Sequence, residues 1–106
     1  MSTWKEVVAQ EFGYEAITTF WDDFSIADVF GVQAVQDTFD RAFEDWKGNY
    51  KYLTELVMVL NHKIWAWHDK NATLESLYNR LWRKADEYAC VYLKGKELNY
   101  YYRITD

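Results

Sequence analysis

Residues 50–68, YKYLTELVMVLNHKIWAWH, constrain the fold more than any other stretch of this chain. Leu53, Leu56, Val57, Leu60, Ile64 and Trp67 recur at intervals of three and four, the mark of a helix with a buried stripe. Tyr52, Val59 and Trp65 fall off that stripe, so the helix is apolar on two sides and belongs at the centre of the molecule. Its neighbours are legible on either side. From Val32 to Trp46, Val32, Val35, Phe39, Ala42, Phe43 and Trp46 mark one face, and Lys47, Gly48 and Asn49 end the helix. From Leu74 to Lys94, Leu77, Tyr78, Leu81, Ala85, Tyr88, Ala89 and Tyr92 make a third stripe, stopped by Gly95. The intervening HDKNAT is a polar turn in which Asn71 or Thr73 caps the following helix.

The two ends carry weaker signals. Thr3 and Glu6 form a capping box, and Trp4, Val8 and Phe12 behind it spell a short helix that Gly13 can end. YEAITTFWDDF suits a strand or an extended crossing as well as a helix. DDFS reads as a break, and Ser25 with Asp28 as a second capping box for a short helix through Phe30. The tail KELNYYYRITD has three consecutive tyrosines and no helical period, which predicts an irregular or short extended segment. The expected fold is all-α: a compact bundle of three principal helices, short N-terminal helices and a Tyr-rich tail. At 106 residues without proline or a Ser/Gly-rich linker, residues 1–106 should form a single helical domain.

The net charge of −5 is unevenly spread. Residues 1–46 hold ten acids against Lys5 and Arg41, whereas residues 47–106 hold ten bases and seven acids. Either the two halves neutralise each other on packing, or the acidic half presents a negative field to a basic partner. The lone Cys90 cannot form an internal disulfide, which fits a reducing compartment. The longest apolar run, Leu56–Leu60, is too short for a bilayer, and Met1 is followed by no secretion signal. The expectation is a cytoplasmic protein with no membrane partner.

SIADVFGVQAVQDTF, residues 25–39, resembles a helix-turn-helix, with Ala27 and Gly31 at the spacing that motif uses. Ile26, Phe30 and Val32 fill its first three apolar places. The two on the second helix fall on Asp37 and Asp40, whose burial without partners would cost several kcal/mol. Between Asp22 and Trp46 there are seven acids and one arginine, where a recognition helix carries Arg, Lys, Asn or Gln toward bases and phosphates. Direct binding to duplex DNA is not expected.

Catalytic and metal signals are weak. His62 and His68 lie six residues apart and point to different helix faces, no CxxC or HExxH spacing occurs, and Cys90 between Ala89 and Val91 reads as a buried inert thiol. The pairs Asp22–Asp23 and Glu44–Asp45 are explained by solvated faces and helix starts. There is no phosphate loop and no defensible nucleophile–base order, so neither an enzyme, a metal nor a cofactor is expected. Arg80, Arg83 and Lys84 around Trp82 could hold single-stranded nucleic acid, but three charges are few and Asp86 and Glu87 follow directly. Trp65 and Trp67 flank Ala66 and cannot both face one core; one packs beneath the tail or stands exposed as an interaction anchor.

Asp37, Asp40 and Glu44 stand at i, i+3 and i+7. They form a row of carboxylates about 5 to 6 Å apart on one helix face, a pitch roughly that of a phosphate backbone. An ordinary solvated face would show the same row.

TFWDDFSIADVFG, DTFDRAFEDWKGNYKYLTELVMVLNHKIWAWHD and LKGKELNYYYRITD resemble a family of small uncharacterised proteins from prophages and conjugative elements of gut Firmicutes. The resemblance covers roughly residues 17–106. Small acidic proteins from such elements include anti-CRISPR and anti-restriction inhibitors, which bind a host nuclease and often mimic DNA. The resemblance thus implies a non-enzymatic inhibitor of a host CRISPR or restriction nuclease, Cas9 included, that occupies a basic nucleic-acid channel. Asp37, Asp40 and Glu44 would carry the contact, supported by Asp28 and Asp45, with Trp65 as an aromatic anchor. The alternative is a structural or regulatory protein that self-associates, as a homodimer for example, through its aromatic face.

Overall fold

The structure, a computed structural model, describes residue 10 and residues 14–105, with side chains at residue 10 and from residue 20 onward. Five helices follow one another: α1 (Tyr14–Phe30), α2 (Val32–Trp46), α3 (Tyr50–Trp67), α4 (Ala72–Tyr92) and α5 (Lys96–Thr105). No strand occurs among the described residues. The expected Thr3–Glu6 capping box and the helix behind it lie outside the described residues.

α3 holds the centre. Every residue from Leu53 to Leu60 is buried, as a helix apolar on two sides requires. It packs most extensively against α4 and also touches α1, α2 and α5. Short polar turns fold the chain back each time. Asn49 accepts a hydrogen bond from the Lys51 backbone N–H at 3.2 Å, and Asn71 accepts one from Leu74 at 3.0 Å. Both meet backbone donors that the first helical turn leaves free.

Large rings fill the core. Phe24 meets Tyr78 edge-on at 5.7 Å, Phe39 stacks on Phe43 at 5.4 Å, and Phe43 meets the edge of Tyr88 at 5.2 Å. Leu53, Leu56, Leu60 and Leu77 are fully buried beside them. Each such side chain contributes about 1.5–3 kcal/mol by leaving water. The radius of gyration, 13.1 Å, is that of a closely packed chain of this length.

The N-terminal part differs from the sequence expectation. Residues 14–30 form one continuous helix of 17 residues, not an ambiguous segment, a break and a short helix. Phe20, Phe24 and Ala27, spaced four and three, bury one stripe of it. The DDFS tetrapeptide lies inside this helix: Asp22 and Asp23 face solvent, while Phe24 is buried. Ser25 caps nothing; its hydroxyl donates to the Trp21 carbonyl at 2.8 Å, one turn back. At 17 residues α1 is longer than α2, which has 15, and close to the 18 of α3.

The tail also differs. Residues 96–105 form α5, helical rather than extended. Leu98, Tyr101 and Ile104 are its inward positions, at helical spacing, with Tyr101 fully buried. Its Tyr101 hydroxyl donates to the Asp86 carboxylate of α4, and Tyr100 meets the ring of Tyr50 edge-on at 5.3 Å.

Candidate protein-binding face

α1 and α2 meet at Gly31, whose φ of 109° and ψ of −171° lie where only glycine is relaxed. Phe20, early in α1, meets Trp46 at the end of α2, with ring centroids 6.4 Å apart. The two helices are thus an antiparallel hairpin, unlike the steep crossing of a helix-turn-helix. Residues 25–39 therefore span the end of α1, the Gly31 corner and the first half of α2.

α2 buries Val35, Phe39 and Ala42, which turns Asp37, Asp40, Glu44 and Asp45 outward, where all four are exposed. Short-range bonds hold most of the row in place. Gln33 donates to Asp37 and Gln36 to Asp40, each at 2.9 Å and one turn away, and Lys47 pairs with Glu44 at 3.1 Å. Asp22 and Asp23 add two further exposed carboxylates from α1. Chemically the face accepts hydrogen bonds from cations.

Asp28 does not belong to this face. Its side chain is 5 % exposed and pairs with Lys63 of α3, itself 4 % exposed, at 3.0 Å. The same carboxylate accepts from the Trp67 indole N–H at 3.0 Å and from the Tyr78 hydroxyl. Lys63 also donates to Ser25 at 2.7 Å and sits 4.1 Å from the centre of the Trp21 ring. Burial pushes the Tyr78 hydroxyl well above its ordinary range, and the Asp28 carboxylate adds to that, so the hydroxyl stays a donor. Asp28 is a structural residue that ties α1 to α3 and α4. The reason is geometric: four residues beyond Phe24 and one beyond Ala27, it shares the buried side of α1.

Trp65 is 65 % exposed and meets the His68 ring edge-on at 5.7 Å. It is the outward member of the Trp65–Trp67 pair, as one of them had to be. Because Ser25 lies against Lys63 and Asp28 against Trp67, α1 and α3 run parallel and their C-terminal ends share one end of the bundle.

No family model, curated protein or solved structure matches this chain. What the side chains can do is therefore read from their own geometry. His68 pairs with Glu75 at 3.0 Å, which, together with Asp69, raises its pKa above the ordinary imidazole value. Cys90, fifteen residues further along α4, is about 22 Å from Glu75 at the rise of a helix. It is exposed, not buried as its neighbours in sequence suggested, with its sulfur 3.7 Å from the Tyr102 hydroxyl. No group of three His, Cys, Asp or Glu capable of holding a metal occurs among the described residues. The small basic face divides: Lys84 lies over the Phe39 and Phe43 rings, whereas Arg80 and Arg83 line a separate groove with Glu75. No helix among the described residues is long and apolar enough to cross a membrane.

Glu55 is the residue sequence reasoning passed over. It is fully buried in α3, neither carboxylate oxygen has a hydrogen-bond partner, and burial raises its pKa from 4.5 to about 8. The signal was present, since a charged residue in a helix apolar on two sides has few wet positions to occupy. Lys63, in the same helix, was legible on the same ground.

Proposed function

We propose that this chain is a non-enzymatic binding protein of a mobile element that inhibits a host defence nuclease, of the CRISPR or restriction kind. It does so by laying the acidic face of α2 into the nuclease's basic nucleic-acid channel. The observation that carries the reading is the row Asp37, Asp40 and Glu44, exposed on one face of a 15-residue helix. Asp45 of the same helix and Asp22 and Asp23 of α1 extend the negative surface, against Arg41 and Lys47. Fixed carboxylates on a rigid element cost little ordering entropy on binding, and a negative surface steers a basic partner toward it. The resemblance to proteins of prophages and conjugative elements is what points to a defence nuclease among basic partners.

The test is the triple variant Asp37→Lys/Asp40→Lys/Glu44→Lys, with its fold checked by circular dichroism. Binding to a Cas9-type nuclease and to a panel of restriction endonucleases is measured with and without DNA competitor. The reading expects binding that DNA displaces, that weakens steeply with salt, and that falls by at least about tenfold in the variant. A folded variant that binds every nuclease as the parent does would end it.

A further inference from the structure

Most large apolar side chains of this chain are inside, yet four beside Gly31 are not. Ile26, Val29 and Phe30 at the end of α1 are 60 %, 84 % and 78 % exposed, and Val32 at the start of α2 is 41 % exposed. Ile26 and Phe30, one helical turn apart, also line an open groove of about 360 Å³ between α1 and α2. Asp23 on one wall and Asp37 and Arg41 on the other complete its polar rim. Arg41 has no ion pair among the described residues, and Asp22 and Asp40 stand exposed nearby in sequence on the two helices. The corner is an apolar strip with carboxylates on both sides.

We infer that this corner is the docking site for a basic amphipathic helix of a partner protein. Such a helix presents apolar side chains three and four residues apart to Ile26, Val29 and Phe30, and flanking Lys or Arg to Asp23 and Asp37. A groove between two antiparallel helices accepts a third helix, and anchors one turn apart match its pitch. Charge selects the occupant. A second copy of this chain would bring Asp22, Asp23, Asp37 and Asp40 against the same carboxylates, with Arg41 the lone compensating cation of the groove. An anionic membrane surface meets the same repulsion. The inference rests on the reading of the chain as a partner-binding protein and names the apolar centre that the acidic face surrounds, since such centres carry most binding energy at interfaces.

Three synthetic peptides serve as probes on the full chain: an amphipathic helix of Leu and Lys, its Leu/Glu counterpart, and a Leu/Lys peptide of the same composition scrambled to remove the apolar face. Calorimetric titration gives the affinities, and NMR shift perturbation gives the location. The amphipathic basic peptide should bind and shift the Ile26–Val32 amides, and the Leu/Glu peptide should not bind. Phe30→Ser should weaken it by about tenfold or more, and Asp23→Lys/Asp37→Lys similarly. The scrambled peptide should bind more weakly and without regard to Phe30→Ser. Equal binding of scrambled and amphipathic peptides, or indifference to Phe30→Ser, overturns the site. So does a dimer in sedimentation that Phe30→Ser dissociates, because the corner would then belong to a second copy. Peptide docking to the unsubstituted chain, alongside an unchanged nuclease interaction of an Asp40→Lys/Glu44→Lys variant that spares the groove, would sink the nuclease reading and leave the corner standing. Loss of nuclease binding in that variant with no peptide docking would do the reverse.

Discussion

A charge taken out of water costs several kcal/mol, and a buried pair is tolerated only when its remaining lone pairs and protons are met. Asp28 and Lys63 satisfy that condition. The carboxylate accepts from Lys63, Trp67 and Tyr78, and the ammonium reaches Asp28 and Ser25 with the Trp21 ring beside it. Asp28→Asn keeps one acceptor oxygen where the indole and the hydroxyl use two, and leaves the ammonium without its counter-charge. It should lower stability by about 3–5 kcal/mol, read as a shifted urea midpoint at pH 7. Adding Lys63→Met removes the orphaned charge, so the double variant should lose less than Asp28→Asn alone. A single-variant loss below about 1 kcal/mol would mean that the pair behaves like a surface ion pair. The Asp28 half of the pair is not visible in the sequence, where Asp28 is one acid among many. Its burial follows from the phase of α1, and that phase becomes known only once Phe20, Phe24 and Ala27 are seen to share a stripe.

At the scale of elements, Gly31 divides one long apolar-faced helix from the next. Its φ of 109° and extended ψ are nearly closed to residues with a Cβ, while no atom stands within 4 Å of where a Cβ would go. Gly31→Ala should therefore cost about 1–3 kcal/mol from backbone conformation alone, measured by chemical denaturation. A neutral result would show that the α1–α2 corner relaxes to another conformation without loss. The helices over 32–46, 50–67 and 72–92 were legible because each repeats apolar residues at three and four over four or more turns. Two elements were not. Asp22 and Asp23 in mid-helix imitated a break in α1, although they simply lie on its wet side. Three adjacent tyrosines in α5 masked the Leu98–Tyr101–Ile104 spacing, since only the middle ring is fully buried. Of the acidic face, the outward row on α2 was legible because Val35, Phe39 and Ala42 fix its phase, whereas the apolar corner required knowing where α1 ends.

For the molecule as a whole, a central helix wrapped on all sides sets how stability responds to pH. Glu55 is fully buried and has its pKa raised from 4.5 to about 8. Half-buried His62, seven residues on and so on the same side of α3, has its pKa lowered from 6.5 to about 4 by the same loss of water. Between pH 4.5 and 8 the folded chain holds the Glu55 proton and the unfolded chain releases it, so stability falls as pH rises through that window. His62 acts oppositely: between pH 6.5 and 4 the unfolded chain takes the proton, and stability falls as pH drops. The two slopes oppose each other from about 4.5 to 6.5 and leave a plateau there. Above it Glu55 is the buried contributor, and the exposed His68, its pKa raised by Glu75 and Asp69, loses stability in the same direction. Stability measured by urea denaturation should therefore decline from pH 6.5 to 9 by on the order of 2 kcal/mol. Glu55→Met fills the same space without a titratable group or unmet acceptors. It should remove most of that decline, leaving the part that belongs to His68, and stabilise the fold more at pH 9 than at pH 6, with a gain of about 1–3 kcal/mol even on the plateau. If the decline survives in Glu55→Met, the alkaline loss belongs to another group, and Glu55 must reach water or a partner in solution.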